Sequence, residues 1–336
     1  MATLGDVAQA AGASVSVVSR VLNDDPALRA RDETRDRVRA AAAELGYTPN
    51  HAARSLRLSH TGTIALMLPD IGNPIAADMM RGAEDGANDT ALHVLLGRSE
   101  RLREGSVDLQ RLLAAGRVDG FLVQLDDGAE VREFERIVKP STPIVLVHSH
   151  GRRHASVVLD DVAGGRLATN YLIGLGHTQI GLVGGLVNSH TGQRRERGFN
   201  DAMSAAGLTR RRAWITHHGY FPSGGRQAVQ ELLRSGKRPT ALVVANINAA
   251  LGVMQGLQEM QIDVPSELSV ITIHDSWFAG YLTPTLTTVQ MPLYELGREG
   301  VRLLTARMAG EQPENRIVTE PPPKVIQRAS TAPPPS

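Results

Sequence analysis

From Thr61 onward, short apolar runs of strand length alternate with longer amphipathic stretches of helical period, almost to the C-terminus. The runs fall at 63–69, 119–125, 143–148, 156–160, 179–184, 213–217, 240–245, 268–274 and 286–290. The helical stretches fall at 75–89, 105–116, 163–175, 195–206, 224–235, 248–260 and 293–310. Strand–helix alternation of this kind predicts parallel sheets with helices on both faces, because a parallel crossover needs a helix to return the chain. A chain of 336 residues exceeds one small core and predicts two or three domains. The apolar runs are far shorter than a membrane span.

The first sixty residues have a different texture. Thr3-Leu4-Gly5-Asp6 has the form of a capping box and opens a short helix to Ala11, with Val7 and Ala8 facing inward. Gly12 supplies a tight turn. Ser14 is placed to cap a second helix over 15–22, whose Val18, Val21 and Leu22 make an apolar stripe. Val15, Ser16 and Arg20 then fall on the opposite face, where a helix-turn-helix presents its recognition residues to base edges. A third helix over 32–45 aligns Val38, Ala41, Ala42 and Leu45, and Gly46 ends it. Tyr47 plugs the thin core. Asn50 can cap a further short helix from His51 to Arg57, which is too short to be stable alone in water.

Charge and composition narrow the function classes. The net charge is only +1, and residues 1–60 hold eight Arg against seven acids, so any attraction to DNA rests on where charge is placed. Cysteine is absent, which removes disulfides, thiolate nucleophiles and Cys-based zinc sites. No basic segment followed by an apolar run opens the chain, so no export signal is read and a cytoplasmic location is expected. Enzyme signatures are missing. Gly174-Leu175-Gly176 lacks the third dinucleotide-binding glycine, since Gln179 stands there. There is no P-loop, no His-Glu-x-x-His and no Gly-x-Ser-x-Gly. His148, His150 and His154 are close, but Gly151 interrupts any helix that would align them as metal ligands. No catalytic group, cofactor or metal is expected.

Ligands of open parallel sheets sit beyond the carboxyl ends of the strands. Asp70, His148, Asn246, His274 and Asp275 fall there, Arg195 follows the loop 186–194, and Tyr220 and Phe221 lie in a connecting loop.

Motifs in combination carry a resemblance: Asp6-Val7-Ala8, Ala11-Gly12, Val18-Ser19-Arg20-Val21-Leu22-Asn23, Tyr47-Thr48-Pro49-Asn50, Pro69-Asp70-Ile71-Gly72-Asn73-Pro74, Ala163-Gly164-Gly165, Leu175-Gly176-His177, Val244-Ala245-Asn246 and Tyr281-Leu282-Thr283-Pro284. From about Thr3 to about Thr331 the chain resembles the LacI/GalR family of bacterial transcription regulators. The resemblance implies an all-α helix-turn-helix head at 1–48, a hinge helix and linker at 49–61, and a core at 62–327 like a periplasmic binding protein. That core would have two Rossmann-like lobes, about 62–159 with 291–327 and about 160–290, followed by a disordered Pro-rich tail at 328–336.

The resemblance further implies roles. Arg20 would read guanine, Val15 and Ser16 would vary with operator sequence, and Ser19 and Asn23 would meet phosphates. Val17 replaces the family's usual Thr, which removes one phosphate-binding hydroxyl. Asn50, His51, Ala53 and Leu56 would act in the hinge, with Leu56 wedging between base steps in the minor groove. Asp70, His148, Arg195, Phe221, Asn246, His274 and Asp275 would surround the effector. His148 and His274 stand where sugar-responsive relatives commonly carry acids. Arg195 would then face no carboxylate except Asp275, which favours an anionic effector in the cleft. The expected protein is a repressor that binds a palindromic operator as a homodimer, controlled by a sugar, sugar derivative or small anion, with no membrane partner. The alternative is a sensor whose anionic effector acts as corepressor or activator. An exported solute-binding protein would not need residues 3–57, and an architectural DNA binder would not need the core.

Overall fold

The structure, a computed structural model, describes residues 2–23, 25, 28–47, 60–99, 117–125, 135–136, 138, 141–151, 153–234 and 236–335. It divides into two compact units, Met1–Thr61 and Gly62–Ser336.

The first unit is a three-helix module. Helix α1 (Leu4–Ala11) starts with a complete capping box: Asp6 N donates to Thr3 Oγ1 at 3.2 Å and Thr3 N donates to Asp6 Oδ2 at 2.7 Å. Gly12 takes the left-handed conformation, φ +59°, and turns the chain. Ser14 Oγ accepts from Val17 N and starts α2 (Val15–Leu22). Helix α3 (Asp32–Glu44) closes the module. Val7, Ala8, Ala11, Val18, Val21, Leu28, Val38, Ala41 and Ala42 form its core, with Tyr47 and Leu22 half-buried against it. Leu45, expected on the apolar face of α3, lies past the helix end and is exposed.

The second unit holds two six-stranded sheets. One contains β1 (Thr63–Leu68), β2 (His93–Arg98), β3 (Gly120–Val123), β4 (Ile144–Val147), β5 (Ala155–Leu159) and β11 (Arg316–Val318), in the order β11-β5-β4-β3-β1-β2. The other contains β6 (Ile180–Gly184), β7 (Ile215–His217), β8 (Ala241–Val244), β9 (Ser269–Ile273), β10 (Thr287–Gln290) and β12 (Lys324–Ile326), in the order β12-β10-β9-β8-β6-β7. The two orders are the same permutation, so the lobes repeat one strand order. All pairings are parallel except β10–β12. The central strands β3, β4, β6, β8 and β9 are buried throughout, as a sheet covered on both faces requires.

Helices α4 (Pro74–Asn88) and α9 (Leu293–Met308) pack together on the first sheet. Helices α5 (Asp161–Gly174) and α6 (His190–Ala205) pair on the second, as do α7 (Pro222–Arg234) and α8 (Ile247–Glu259). The α5–α6 crossing is close because glycines remove the side chains between them. A Cβ on Gly165 would lie 2.2 Å from the Arg195 carbonyl oxygen, and one on Gly198 would lie 2.1 Å from that of Val162.

Two sequence expectations are corrected here. The chain crosses between lobes three times, after β5, after β10 and after β11, so residues 324–327 belong to the second lobe rather than the first. The tail is ordered over 328–335 rather than disordered. Ser330 and Thr331 are buried. Ser330 Oγ donates to Val270 O at 2.6 Å and accepts from Thr287 N at 2.8 Å. His177 Nε2 donates to Ala332 O at 2.8 Å. Small hydroxyl residues between the prolines give this segment the hydrogen bonds that a proline run lacks. The expected helix at 105–116 and the hinge residues Asn50, His51, Ala53 and Leu56 lie outside the described residues.

Candidate functional site: a head for base edges and a cleft between lobes

On α2, Val15 is half-exposed and Ser16 exposed, on the face opposite Val18 and Val21. Arg20 Nε donates to Asp25 Oδ2 at 2.8 Å. That bond holds the guanidinium and, among the described residues, leaves its two terminal nitrogens for a further partner. Asn23 is the C-cap residue of α2, and its Nδ2 donates to Ser19 O at 2.6 Å. Its NH2 is therefore used within the helix end, while Oδ1 accepts no hydrogen bond among the described residues. Val17 packs against the module core.

In the second unit a cavity of about 500 Å³ opens between the carboxyl ends of the two sheets. Asp70, His148, Arg195, Phe221 and Asn246 all line it, drawn together from both lobes. Asp70 lies just past β1, and its Oδ1 accepts from Gly72 N. Asn246 is the N-cap of α8: its Oδ1 accepts from Ala249 N at 2.8 Å, so the amide NH2 is what remains for a ligand. Phe221 is exposed at the start of α7. Reading the sequence missed Gln124, Ser149, Asn188 and Thr191 as lining residues with polar tips, while Tyr220, noted beside Phe221, does line the cavity. Helix α6 begins five residues before the expected 195, because Ser189 caps it by accepting from Gly192 N. That early start brings His190 and Thr191 to the cleft.

The floor is a buried ionic cluster. Arg195 Nε donates to Asp161 Oδ1 at 2.8 Å, with both side chains almost wholly buried. Arg195 Nη1 donates to Ala245 O at 2.6 Å and Nη2 to His274 Nε2 at 2.8 Å. Arginine only donates, so His274 Nε2 accepts and its proton sits on Nδ1. His148 Nε2 lies 3.5 Å from Arg195 Nη2 and 3.9 Å from Asp161 Oδ2. His148 and His274 follow the equivalent strands β4 and β9 of the two lobes, and both take left-handed backbone, φ +52° and +70°. Non-glycine residues are uncommon there, and strain of this kind concentrates at functional sites. Their rings meet edge to face, with centroids 5.9 Å apart.

Burial works against the Asp161 carboxylate, but the Arg195 charge and the His148 ring outweigh it and hold its pKa well below the carboxylate range. Burial, reinforced by Arg195 and His148, pushes the His274 pKa well below the ordinary histidine value, so the ring is neutral at neutral pH. At the cleft mouth, His150 of the first lobe stacks on His190 of the second, with centroids 3.8 Å apart. Partial burial, then the His190 and Arg194 charges, push His150 down to about 4.

Two expectations about this site are corrected. Asp275 does not face the cleft. It binds Arg328 through two oxygens, at 2.8 and 3.2 Å, accepts from Thr288 Oγ1 at 2.7 Å, and so pins the C-terminal segment. His274 does not line the cavity: it is fully buried behind Arg195. The carboxylate that Arg195 meets is Asp161. Asp161 lies just beyond the carboxyl end of β5, as Asp70 lies beyond that of β1.

A helix-turn-helix joined to a two-lobed, ligand-cleft core defines an effector-responsive DNA-binding regulator. The profile of bacterial regulatory proteins of the LacI family matches residues 3–50, and that of a periplasmic binding protein-like domain matches residues 169–331. The chain is 32% identical to the HTH-type transcriptional repressor PurR of Erwinia tasmaniensis, over 99% of this chain and 97% of that protein. The lac repressor dimer bound to operator and an anti-inducer superposes with a TM-score of 0.81 at 26% identity, covering 98% of this chain and 99% of that one. The CelR–cellobiose complex superposes at 0.71 and 27% identity, covering 98% and 100%. The chain belongs to the LacI family: it is a transcriptional repressor with a DNA-binding head and an effector-binding core.

Proposed function

We propose that this repressor binds a palindromic operator as a homodimer in the bacterial cytoplasm, and that a small uncharged polyhydroxylated molecule in the cleft shifts its affinity for DNA. It acts by binding, with no reaction to catalyse. The observation that carries the ligand class is the cleft's lining: amides, hydroxyls and the Tyr220 and Phe221 rings, over an arginine already paired with a carboxylate. Such a surface offers many hydrogen bonds and little net charge, as sugar hydroxyls require. The CelR relative is described with cellobiose. The exposed aromatics Trp277 and Tyr281, 80% and 81% accessible, with Phe278 beside Trp277, are what a second copy would cover.

In this reading Val15, Ser16 and Arg20 face base edges, with Arg20 steadied by Asp25. Val17, Ser19 and Asn23 flank them at the backbone. Asn50, His51, Ala53 and Leu56 serve the hinge, with Leu56 as the minor-groove wedge. Asp70, His148, Arg195, Phe221 and Asn246 bind the effector. His274 acts through Arg195. The effector's leverage equals its differential affinity for the two lobe arrangements.

The test is selection of operator sequences from random duplexes, followed by gel shifts with a panel of neutral sugars. The expected result is a palindromic consensus bound by a dimer, with affinity moved by one sugar class. Arg20→Ala should lose about 1–3 kcal/mol of discrimination at one base pair of each half-site. Non-palindromic binding, or a cleft to which no sugar binds, would defeat the reading.

A further inference from the structure

We infer that Asp161 is a specificity-determining residue that sets the charge selectivity of the cleft. By holding Arg195 in a buried ion pair, it makes the cleft choose uncharged ligands over anions. The inference rests on the reading of the cleft as the effector site.

Among the described residues lining the cavity, only Asp70 and Arg195 carry a formal charge outside the histidines. Among those described lining residues, Arg195 is thus the one fixed cation that a ligand's anionic group could meet. Asp161 sits directly behind it: Arg195 Nε donates to Oδ1 at 2.8 Å, and the two side chains are 3% and 1% exposed. In so dry a place the carboxylate cancels the guanidinium with little help from solvent, so an incoming anion would meet a dipole rather than a charge. The remaining bonds point the same way. Nη1 is drawn to Ala245 O and Nη2 to the neutral His274, so the fork faces protein acceptors on three sides.

The local fold fixes this pairing. Asp160 caps α5 by accepting from Ala163 N, which makes Asp161 the first helical residue, where the helix dipole favours a negative charge. The Gly165 and Gly198 contacts bring α6 close enough for Arg195 to reach it. The neighbouring pair repeats the arrangement, with Arg194 Nη2 3.6 Å from Asp160 Oδ1 at a wetter position. Among the described residues Asp161 Oδ2 accepts no hydrogen bond, and His148 Nε2 stands 3.9 Å away. Asp161 does not itself line the cavity. It determines specificity through Arg195.

The experiment compares wild type, Asp161→Asn and Asp161→Glu, each titrated with sodium phosphate against sodium chloride of matched ionic strength. Binding is followed by calorimetry and by melting temperature. Phosphate bound at surface arginines acts on all three alike. The expected result is phosphate binding to D161N at least about tenfold tighter than to wild type, with D161E like wild type. Equal phosphate binding in wild type and D161N would overturn the inference, and so would a gain shared by D161E. If D161N does not fold in chloride, folding restored by phosphate is the expected outcome, because the anion then replaces the missing carboxylate; failure of phosphate to restore it counts against the inference. No DNA or sugar enters the assay, so its failure leaves the repressor reading standing, and a failed operator selection leaves this result intact.

Discussion

The two lobes of the core share one strand order, yet they divide the work of the cleft unequally. Each places a histidine in left-handed backbone after its fourth strand in chain order, His148 after β4 and His274 after β9. The second lobe surrounds its histidine with a buried guanidinium, a buried carboxylate and a C-terminal segment pinned by Arg328. The first lobe adds His148, which reaches across to that cluster, and the acid Asp70 at the mouth. One strand order therefore yields a lobe that carries the buried ion pair and a lobe that sets His148 beside it.

The largest expected effect isolates that charge. Arg195→Met would leave Asp161 buried without its cation and should cost about 3–5 kcal/mol of core stability in urea unfolding. A loss below about 1 kcal/mol would mean that water reaches Asp161 and that the lobe does not hold a dry ion pair.

Next come matched glycine substitutions in the two lobes. Gly165→Ala and Gly297→Ala each place a Cβ near 2.2 and 2.1 Å from a facing carbonyl oxygen. Each should destabilise by about 3 kcal/mol or more, the upper end of overpacking. Only Gly165→Ala should also weaken ligand binding, since it pushes Arg195 away from Asp161. Equal loss of ligand affinity in both would erase the contrast between lobes.

A smaller effect separates clamp from cleft. Asp275→Asn should cost about 2 kcal/mol, the scale of a charge-assisted bond, and expose 324–335 to hydrogen exchange with ligand affinity unchanged. A change in ligand affinity without faster exchange would return Asp275 to the cleft.

The smallest effect is a slope. His274 has a folded pKa depressed below 6.5, so the unfolded chain binds the extra proton first as pH falls. The stability it contributes is present above pH 6.5 and is lost below it, at about 1.4 kcal/mol per pH unit for one group. His274→Asn should flatten the stability profile below pH 6.5, and an unchanged slope would show that the ring is wetter than its burial indicates.

The architecture was largely legible in the residues. Each of the nine apolar runs overlaps a strand, because strands buried on both faces read as unbroken apolar segments. Strand β2 escaped notice: it is an edge strand with Leu95 and Leu96 exposed, flanked by polar residues. Strands β11 and β12 have three residues each, too few for any period. The Pro-rich tail misled because composition reports what proline cannot donate and hides what Ser330 and Thr331 supply. In the cleft, strand-end position found Asp70, His148 and Asn246, and resemblance found Arg195 and Phe221. Partnership was not legible. Asp161 and Arg195 are 34 residues apart, joined only by the α5–α6 crossing, and Asp275 turned to Arg328 for the same kind of reason. The anionic-effector expectation rested on charges counted along the chain, and such a count does not show that Arg195 is already paired with Asp161.

The most direct test is a thermal-shift comparison of neutral sugars and the corresponding sugar phosphates on the full chain, at pH 6 and pH 8. A cleft whose arginine is cancelled by Asp161 predicts stabilisation by a neutral sugar, of similar size at both pH values, and none by its phosphate beyond that of matched salt. Stabilisation by the phosphate alone, stronger at pH 6, would contradict the account and show a cleft whose positive charge is free.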